Sequence, residues 1–518
     1  MSAFLKSAVF GRFAFCLGVI LILGTAGFLY LDDLGERPVH FDEATGARIL
    51  ADRIESGSYH FDPNHFHGPL LSMVSAPVVS LLQDETTWET LSITSLRISV
   101  ALLALLTVSG AFYLERFGKR GDGLAAAAFV ATSPLLAYYG TMYIHEPVFT
   151  ACGLLSVISL WLFLRGPSVI NAILVGIGFG LMAVTRETFV IAIFSWLIAS
   201  IIWLFSKRGD LGLTEWLKGN ISLYVKPLIL AAVVSLVILV LGYSDFGKNS
   251  RGVFDFIQTY FAYKLVSGHE KPFYYYFQLL LWPQQLGWLW WTQIGVLLFA
   301  LIGYIRYPVG AGRDACRFFF HGGLVYLLVF SFISYKTPWL ASLGWLQICL
   351  AAGMGAAAIV RSFQGFWRVP VVTVVALVLS WQYLQSYYAI HRFSSDARNP
   401  YAYVPTSKDL ERLPAWLEEL QQLSGGTAEV SLAVIGREYW PLPWYLRKMD
   451  SVGYWPELPS HGGEFPIILV LPSAAEESAA ALEESHTLIP RGLREEVLVM
   501  VAVRNDVWNK YMKNTDGE

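Results

Sequence analysis

Long apolar runs alternate with short polar breaks along most of the chain. A bilayer-spanning helix needs about 20 apolar residues. Runs of that kind fall at 12–31, 93–114, 122–141, 146–164, 169–185, 188–206, 226–243, 286–306, 318–334, 337–358 and 369–389. The pattern predicts about eleven transmembrane helices. The breaks at Glu146 and Arg186 are very short, so the helices they join are antiparallel neighbours. The first run is longer than the apolar region of a signal peptide and has no small-x-small cleavage site after it. It reads as a retained first helix.

Three stretches break this rhythm. The loop 32–92 follows the first run, and its segment 43–55 carries apolar residues at helical spacing. That segment predicts a helix lying along a membrane surface. The segment 244–285 contains the aromatic run Pro272-Phe273-Tyr274-Tyr275-Tyr276. From about 391 the chain turns soluble in character. Segments 430–436, 466–471 and 494–503 read as strands and 474–484 as a helix, which predicts a small α/β domain. The expected fold is therefore a mainly α, polytopic membrane protein. Residues 1–390 form the transmembrane module, including the first loop 32–92, and 391–518 a small C-terminal α/β extracytoplasmic domain.

Lysine and arginine set the orientation, because they are retained in cytoplasmic loops. One set of loops carries Lys6 and Arg12, then Arg116, Lys119 and Arg120, then Arg165. It continues with Lys207, Arg208 and Lys218, then Arg306, Arg313 and Arg317, then Arg361 and Arg368. The opposite short turns carry Arg186 and Lys336. The N-terminus is then cytoplasmic, and an odd number of helices puts the tail outside. The expected location is the inner (cytoplasmic) membrane, crossed many times.

Composition agrees. Of 518 residues 55% are hydrophobic and 15% charged, and the mean hydropathy is +0.49. These values exclude an ordinary soluble enzyme. A net charge of -3 gives no basis for nucleic-acid binding. Cys16, Cys152 and Cys349 lie in apolar runs and Cys316 in a basic loop, so neither a zinc site nor a disulfide framework is implied.

Candidate chemistry concentrates in the first loop: His40-Phe41-Asp42-Glu43-Ala44, then Asn64-His65-Phe66-His67-Gly68-Pro69-Leu70. Polar groups of this kind in a membrane protein mark a place where something polar is bound or transformed. A carboxylate such as Asp42 can act as general base toward an acceptor hydroxyl or amine, or help hold a divalent cation. An Asp at this place can equally cap the helix that follows. His65 and His67 share one side of an extended segment and could ligate a metal, or simply be solvated. His145-Glu146-Pro147 and Arg186-Glu187 form two further turns on the same side. Glu146 there must pair or face water, or it serves as a helix cap ahead of Pro147. Arg186 and Glu187 suit an ion pair or a substrate contact. Lys336, in Ser334-Tyr335-Lys336-Thr337-Pro338-Trp339, is a compact cation suited to phosphate, or a snorkelling lysine. Lys271 adds charge beside the tyrosine run.

The segment 41–70, Asp-Glu-Ala followed at a distance by His-Phe-His-Gly-Pro-Leu, resembles the first outer loop of GT-C glycosyltransferases. These include protein O-mannosyltransferases and the aminoarabinose transferases that modify lipid A. A narrower likeness, to the flippase activity-associated branch, rests on five stretches. They are Gly268-His269-Glu270-Lys271-Pro272-Phe273-Tyr274-Tyr275-Tyr276, Tyr335-Lys336-Thr337-Pro338-Trp339, Asn399-Pro400-Tyr401-Ala402-Tyr403, Arg437-Glu438-Tyr439-Trp440-Pro441 and Trp444-Tyr445-Leu446-Arg447. The resemblance implies an integral membrane glycosyltransferase. Its donor would be a polyprenyl-phosphate sugar and its acceptor a lipid, a glycan or a protein. The transfer would be an inverting displacement on the outer face. It implies Asp42 as catalytic carboxylate and Glu146 as the second acidic site residue. Glu43, His145, Arg186, Lys271, Tyr335 and Lys336 are the candidate substrate-binding residues, and His65 and His67 the candidate ligands of a divalent metal ion. Where the aminoarabinose transferases carry Glu-Lys before proline, this chain has His67-Gly68. A cation toward phosphate must then come from Lys336 or Lys271.

Two other classes compete. An accessory protein for translocation of lipid-linked glycans would share the topology without catalysis. A secondary transporter would place ionisable groups at the membrane midplane, whereas here the mid-span positions are almost all apolar.

Overall fold

The computed structural model describes residues 3–63, 67–207, 213–262, 269–425 and 430–515. The chain forms two compact units. Unit 1 comprises Met1–Leu34, Asp52–Asp84 and Thr94–Phe393; unit 2 comprises Gly35–Ala51, Glu85–Ile93 and Ser394–Glu518. The expected boundary at 390/391 leaves the whole first loop with the transmembrane module. The compact units instead divide that loop, and two pieces of it join the tail.

Helices dominate unit 1. Helix α1 (Ala3–Leu31) is followed by α2 (Phe41–Ser56), whose first part to Ala51 belongs to unit 2. Next come α3 (Leu70–Leu82), α4 (Ile93–Ala111), α5 (Asp122–Thr132), α6 (Pro134–Gly140), α7 (His145–Arg165) and α8 (Val169–Thr185). Then follow α9 (Phe189–Lys207), α10 (Leu213–Tyr243), α11 (Gly252–Ala262), α12 (Tyr275–Leu281), α13 (Ile294–Arg306), α14 (Ala311–Phe332), α15 (Ser342–Ser362) and α16 (Arg368–Tyr387).

Among the described residues eight helical stretches are long and apolar enough to cross a membrane, from Phe13–Leu31 to Gly365–Arg392. The bent pair α5 and α6 would make a ninth, with a 65° break. Pro134 opens α6 and cannot donate the hydrogen bond that would continue α5. Each of the eleven expected runs has an apolar helix, but α8 and α13 are too short to count as full spans. The run expected at 286–306 is the clearest departure. Its first residues form an antiparallel hairpin, β1 (Gln284–Leu286) with β2 (Leu289–Trp291), and the helix starts only at Ile294. Apolarity by itself does not distinguish a short strand from the start of a helix. A further apolar helix, α3, was not among the expected runs.

The stretch Pro338–Ser362 is the centre of unit 1, with 89% of its apolar window buried. Its small residues let neighbouring backbones come close, as in membrane helix pairs generally. A side chain at Gly353 would sit 2.2 Å from the backbone nitrogen of Ala126 in α5. At the periphery the balance reverses. The Ile221–Tyr243 window of α10 is only 11% buried although strongly apolar. Such a surface is stable against hydrocarbon and not against water.

Unit 2 is built on a five-stranded mixed sheet. Strands β3 (Leu432–Ile435), β4 (Val452–Trp455), β5 (Ile467–Val470), β6 (His486–Arg494) and β7 (Val497–Arg504) are ordered β4-β3-β5-β7-β6. β3 runs parallel to β4 and β5, and β7 is antiparallel to β5 and β6. One face buries Val434, Leu469, Val501 and Val503 with Leu413, Leu417 and Leu420 of α17 (Asp409–Ser424). The other buries Ala433, Ile435, Ile468 and Ala502 with Leu482, the last residue of a helix at Ala475–Leu482. Central strands apolar on both faces read as continuous runs, which is why β3, β5 and β7 were expected. The edge strands β4 and β6 are part-exposed and carry no such run.

The first-loop pieces dock within this unit. Trp88 meets Trp444 edge-on at 5.8 Å, Arg48 lies over Trp88 at 5.2 Å, and Arg447 donates to the Leu91 carbonyl at 3.2 Å.

A buried node ties three loops of unit 1 together. Asp122 is fully buried. It accepts from the Lys119 backbone at 2.6 Å and from the Tyr307 hydroxyl, and pairs with Arg361 at 2.8 Å. Lys119, Arg120 and Arg361, all from the loops expected on one side, meet at this node. Removing one partner of a buried pair strands the other. Asp122→Ala should therefore destabilise the detergent-solubilised protein by roughly 3 kcal/mol, read as a lowered thermal midpoint.

Candidate functional site

Asp42 and Glu43 open α2, and the local hydrogen bonds give the two carboxylates different tasks. The Glu43 Oε2 accepts the His40 backbone N–H at 3.1 Å, and the His40 Nδ1 accepts the Asp42 N–H at 3.2 Å. Ala44 donates to the His40 carbonyl at 2.9 Å. This is a capping box with a histidine in place of the usual Ser or Thr. Glu43 is fully buried, with the Arg37 guanidinium 3.9 Å away. Glu43 was expected as a substrate contact; it is engaged in the cap and this ion pair. Asp42 keeps 38% of its side chain exposed, and its carboxylate is 3.7 Å from the His40 ring. Burial pushes the His40 imidazole below its ordinary pKa, against the pull of Asp42 and Glu43. All of these residues belong to unit 2.

A second cluster lies in unit 1. The His67 Nδ1 meets the Glu187 carboxylate at 3.1 Å, and the His67 and His145 rings stand edge to face at 5.1 Å. The His145 Nε2 lies 3.2 Å from the Gly68 carbonyl. Glu146 and Arg186 form a buried ion pair. Gly68 donates to the Thr185 carbonyl at 3.1 Å, and a side chain there would sit 2.1 Å from the Val184 carbonyl oxygen. Only glycine permits that approach, which accounts for the residue found where the resemblance leads one to expect lysine. Arg186 and Glu187 thus pair with separate partners. Burial alone would raise the Glu187 carboxyl. The charge and hydrogen bond of His67, with Arg186 behind them, outweigh it and hold the group below the usual carboxylate range.

Sequence reasoning missed the residues that anchor this cluster. Arg53 pairs with Asp245 at 2.5 Å and donates to Ser72 at 3.2 Å. The Tyr59 backbone donates to Asp245 at 3.0 Å, and its hydroxyl to the His67 carbonyl at 3.1 Å. One signal was available: Asp245 lies two residues past the end of an apolar helix, where an unpaired carboxylate is expensive.

The two lysine segments also meet. Lys271 donates its backbone N–H to Ser334 at 3.1 Å and Lys336 to His269 at 3.0 Å, with Glu270 and Tyr335 bridged between them. The His269 and Tyr335 rings are 5.0 Å apart. The Lys336 ammonium donates to the Lys271 carbonyl at 2.9 Å and to that of Ile333. Lys336 is buried, and desolvation pulls its pKa down. Tyr276 is bonded to this ribbon. Its hydroxyl donates to the Thr337 carbonyl at 3.1 Å. Burial and then the neighbouring phenols of Tyr275, Tyr326 and Tyr335 raise the Tyr276 phenol, while Arg186 pulls it down.

For a metal, the sequence points to His65 and His67. His65 lies outside the described residues, and the Nδ1 of His67 is occupied by Glu187. Among the described residues the group that could hold an ion is Asp32, Asp33 and His391, with ligand atoms all within 4.8 Å of one another. Two carboxylates and an imidazole suit a divalent cation.

Beside the histidine cluster lies an apolar cavity of about 500 Å³, lined by Leu70, Val74, Leu103, Val148, Leu155 and Leu181 among others. Leu70 follows Gly68-Pro69 and Val148 follows Glu146-Pro147, so the polar turns lead directly into apolar walls.

No protein-family model matches the chain, and no curated protein matches it in sequence. Solved structures do match. ArnT from Cupriavidus metallidurans in the apo state aligns with a TM-score of 0.63 at 15% identity, over 94% of this chain and 98% of that one. The same protein bound to undecaprenyl phosphate gives 0.61 at 15% identity over the same shares. The Pmt1-Pmt2 protein O-mannosyltransferase complex of S. cerevisiae bound to the sugar donor gives 0.38 at 18% identity, over 45% and 34%. The chain therefore has a helical membrane fold with a small C-terminal sheet domain. Over nearly its whole length that fold is the one found in ArnT from Cupriavidus metallidurans.

Two stability tests follow from the unit 1 cluster. Arg186→Met leaves Glu146 buried without its cation and should cost about 3–5 kcal/mol, seen as a lowered thermal midpoint. Glu187 has a depressed pKa in the folded state, so its contribution is present above the ordinary glutamate pKa of about 4.3 and is lost as pH falls further. Glu187→Gln should lower the midpoint at pH 7, and the gap to wild type should narrow below about pH 4.

Proposed function

We propose that this protein is an integral membrane glycosyltransferase. It moves a sugar from a polyprenyl-phosphate donor to a lipid, glycan or protein acceptor on the extracytoplasmic face. The observation that carries this reading is the fold shared with ArnT across 94% of this chain and 98% of that one, in a protein whose bound form holds undecaprenyl phosphate. In this reading the acceptor oxygen or nitrogen attacks the anomeric carbon. The bond from that carbon to the phosphate oxygen breaks, its electron pair leaves with the phosphate, and the anomeric centre inverts. Asp42, a part-exposed carboxylate at a helix start, takes the acceptor proton. Arg186, Lys271 and Lys336 supply cationic charge toward the phosphate. Glu146 holds Arg186 in place. The apolar cavity beside the histidine cluster takes the first part of the prenyl chain. Asp32, Asp33 and His391 would hold a divalent ion, which would supply positive charge, and no step depends on it.

The test is transfer by purified protein in nanodiscs. A panel of radiolabelled polyprenyl-phosphate sugars is offered with a membrane extract as acceptor source. Wild type should move label to a new product. Asp42→Asn should fold normally and lose at least about 100-fold in rate, the scale of general base catalysis. Full activity in Asp42→Asn would remove Asp42 from its role. Donor that binds but is never consumed by wild type would favour an accessory role in glycan translocation.

A further inference from the structure

We propose that His40 is a positioning residue for Asp42, and that the C-terminal domain takes part in the chemistry by holding His40 and its neighbours. The proposal rests on the reading of Asp42 as the base.

Three consecutive residues before Asp42 are gripped by the tail portion of the same unit. Val39 donates its N–H to the Tyr445 hydroxyl at 2.9 Å and accepts the Thr406 hydroxyl on its carbonyl at 2.8 Å. The His40 Nε2 lies 3.1 Å from the Tyr403 carbonyl. The Arg494 guanidinium stands over the Phe41 ring at 5.9 Å. The His40 ring is only 7% exposed. Because its Nδ1 accepts the Asp42 N–H, its proton sits on Nε2 and is donated to Tyr403. The tautomer is set by partners on both sides.

An ordinary cap does not need this residue. Ser, Asp or Asn would satisfy the first N–H groups of α2 equally well. What histidine adds is the second nitrogen, which carries the restraint through to residue 403. The reason for such a restraint is geometric. A general base must come within about 2.6–3.2 Å of the proton it takes, and a misplacement of about 1 Å can cost 100-fold. Asp42 sits in the first turn of a helix, where the backbone lacks half its ladder.

The arrangement also carries a pH dependence. A second proton on His40 would fall on Nδ1. It would abolish the bond from the Asp42 N–H and face the Asp42 carboxylate, 3.7 Å away. The base would then be drawn to an imidazolium. The ionisable groups around His40 are Asp42, Glu43 and Arg37 from its own segment, with Tyr445 and Arg494 from the tail. Activity therefore needs neutral His40, and because burial lowers the His40 pKa the acid limb lies below the ordinary histidine value of about 6.5.

The experiment uses full-length protein and the labelled polyprenyl-phosphate sugar that wild type consumes. His40→Asn keeps an acceptor for the Asp42 N–H but cannot reach Tyr403. It should retain the thermal midpoint, lose about 10- to 100-fold in kcat, leave KM for the donor unchanged, and lose the acid limb due to histidine. Tyr445→Phe, on the tail side, should lower kcat in the same direction, and the double variant should lose less than the product of the two. Hydrogen–deuterium exchange over 39–44 should rise in both variants while the rest of α2 stays protected; this arm needs no turnover. Wild-type kcat and pH profile in His40→Asn, with Asp42→Asn inactive, overturn this inference alone. Unchanged exchange over 39–44 in both variants also overturns it. Full activity in Asp42→Asn overturns both this inference and the reading beneath it.

Discussion

A charge placed in an apolar helical protein must be matched where it stands, and the rest of this structure depends on that constraint. Water is not at hand to screen it, so an unpaired group costs several kcal/mol. The protein meets the cost with long-range partners. Glu146 pairs with Arg186, Arg53 with Asp245, and Asp122 with Arg361 and Tyr307. Lys336 is met by carbonyls, which fixes the ribbon of 269–272 against 334–337. These pairings close the turns between helices, and the turns then hold the side chains from which a site can be made.

The same logic separates residues that look equivalent. Asp42 and Glu43 are adjacent acids, yet one is part-exposed and the other fully buried in a cap. A base must exchange protons with a substrate, and a buried cap cannot. His67 and Gly68 make a comparable contrast with the lysine-bearing motif they resemble. Gly68 is set by contact with the Val184 carbonyl, so that position cannot supply a cation.

Much of the fold was legible in the chain. Every expected apolar run holds an apolar helix, and the helix expected over 43–55 is present as Phe41–Ser56. The central strands of the tail were legible because both of their faces are apolar. The hairpin at 284–291 was not, since an apolar strand and an apolar helix start look alike at that length. The edge strands β4 and β6 were not, because each takes its place by hydrogen bonding to a neighbour and carries no core run of its own. The division of the first loop between the two units was hidden for a related reason: Trp88, Arg48 and Leu91 are held by residues more than 350 positions further on or by each other.

The sequence by itself determined the membrane character, the helical scaffold, the α/β tail and the loop residues worth testing. All of these follow from run length, periodicity and local charge, which are properties of neighbouring residues. Only the tertiary structure decided which acid caps and which is exposed, that Arg186 serves Glu146 while Glu187 serves His67, and that Arg53 and Asp245 belong to the same cluster. Those partners are 40, 120 and 192 residues apart. A charge selects the opposite charge that packing brings within reach, and packing is not written in sequence distance.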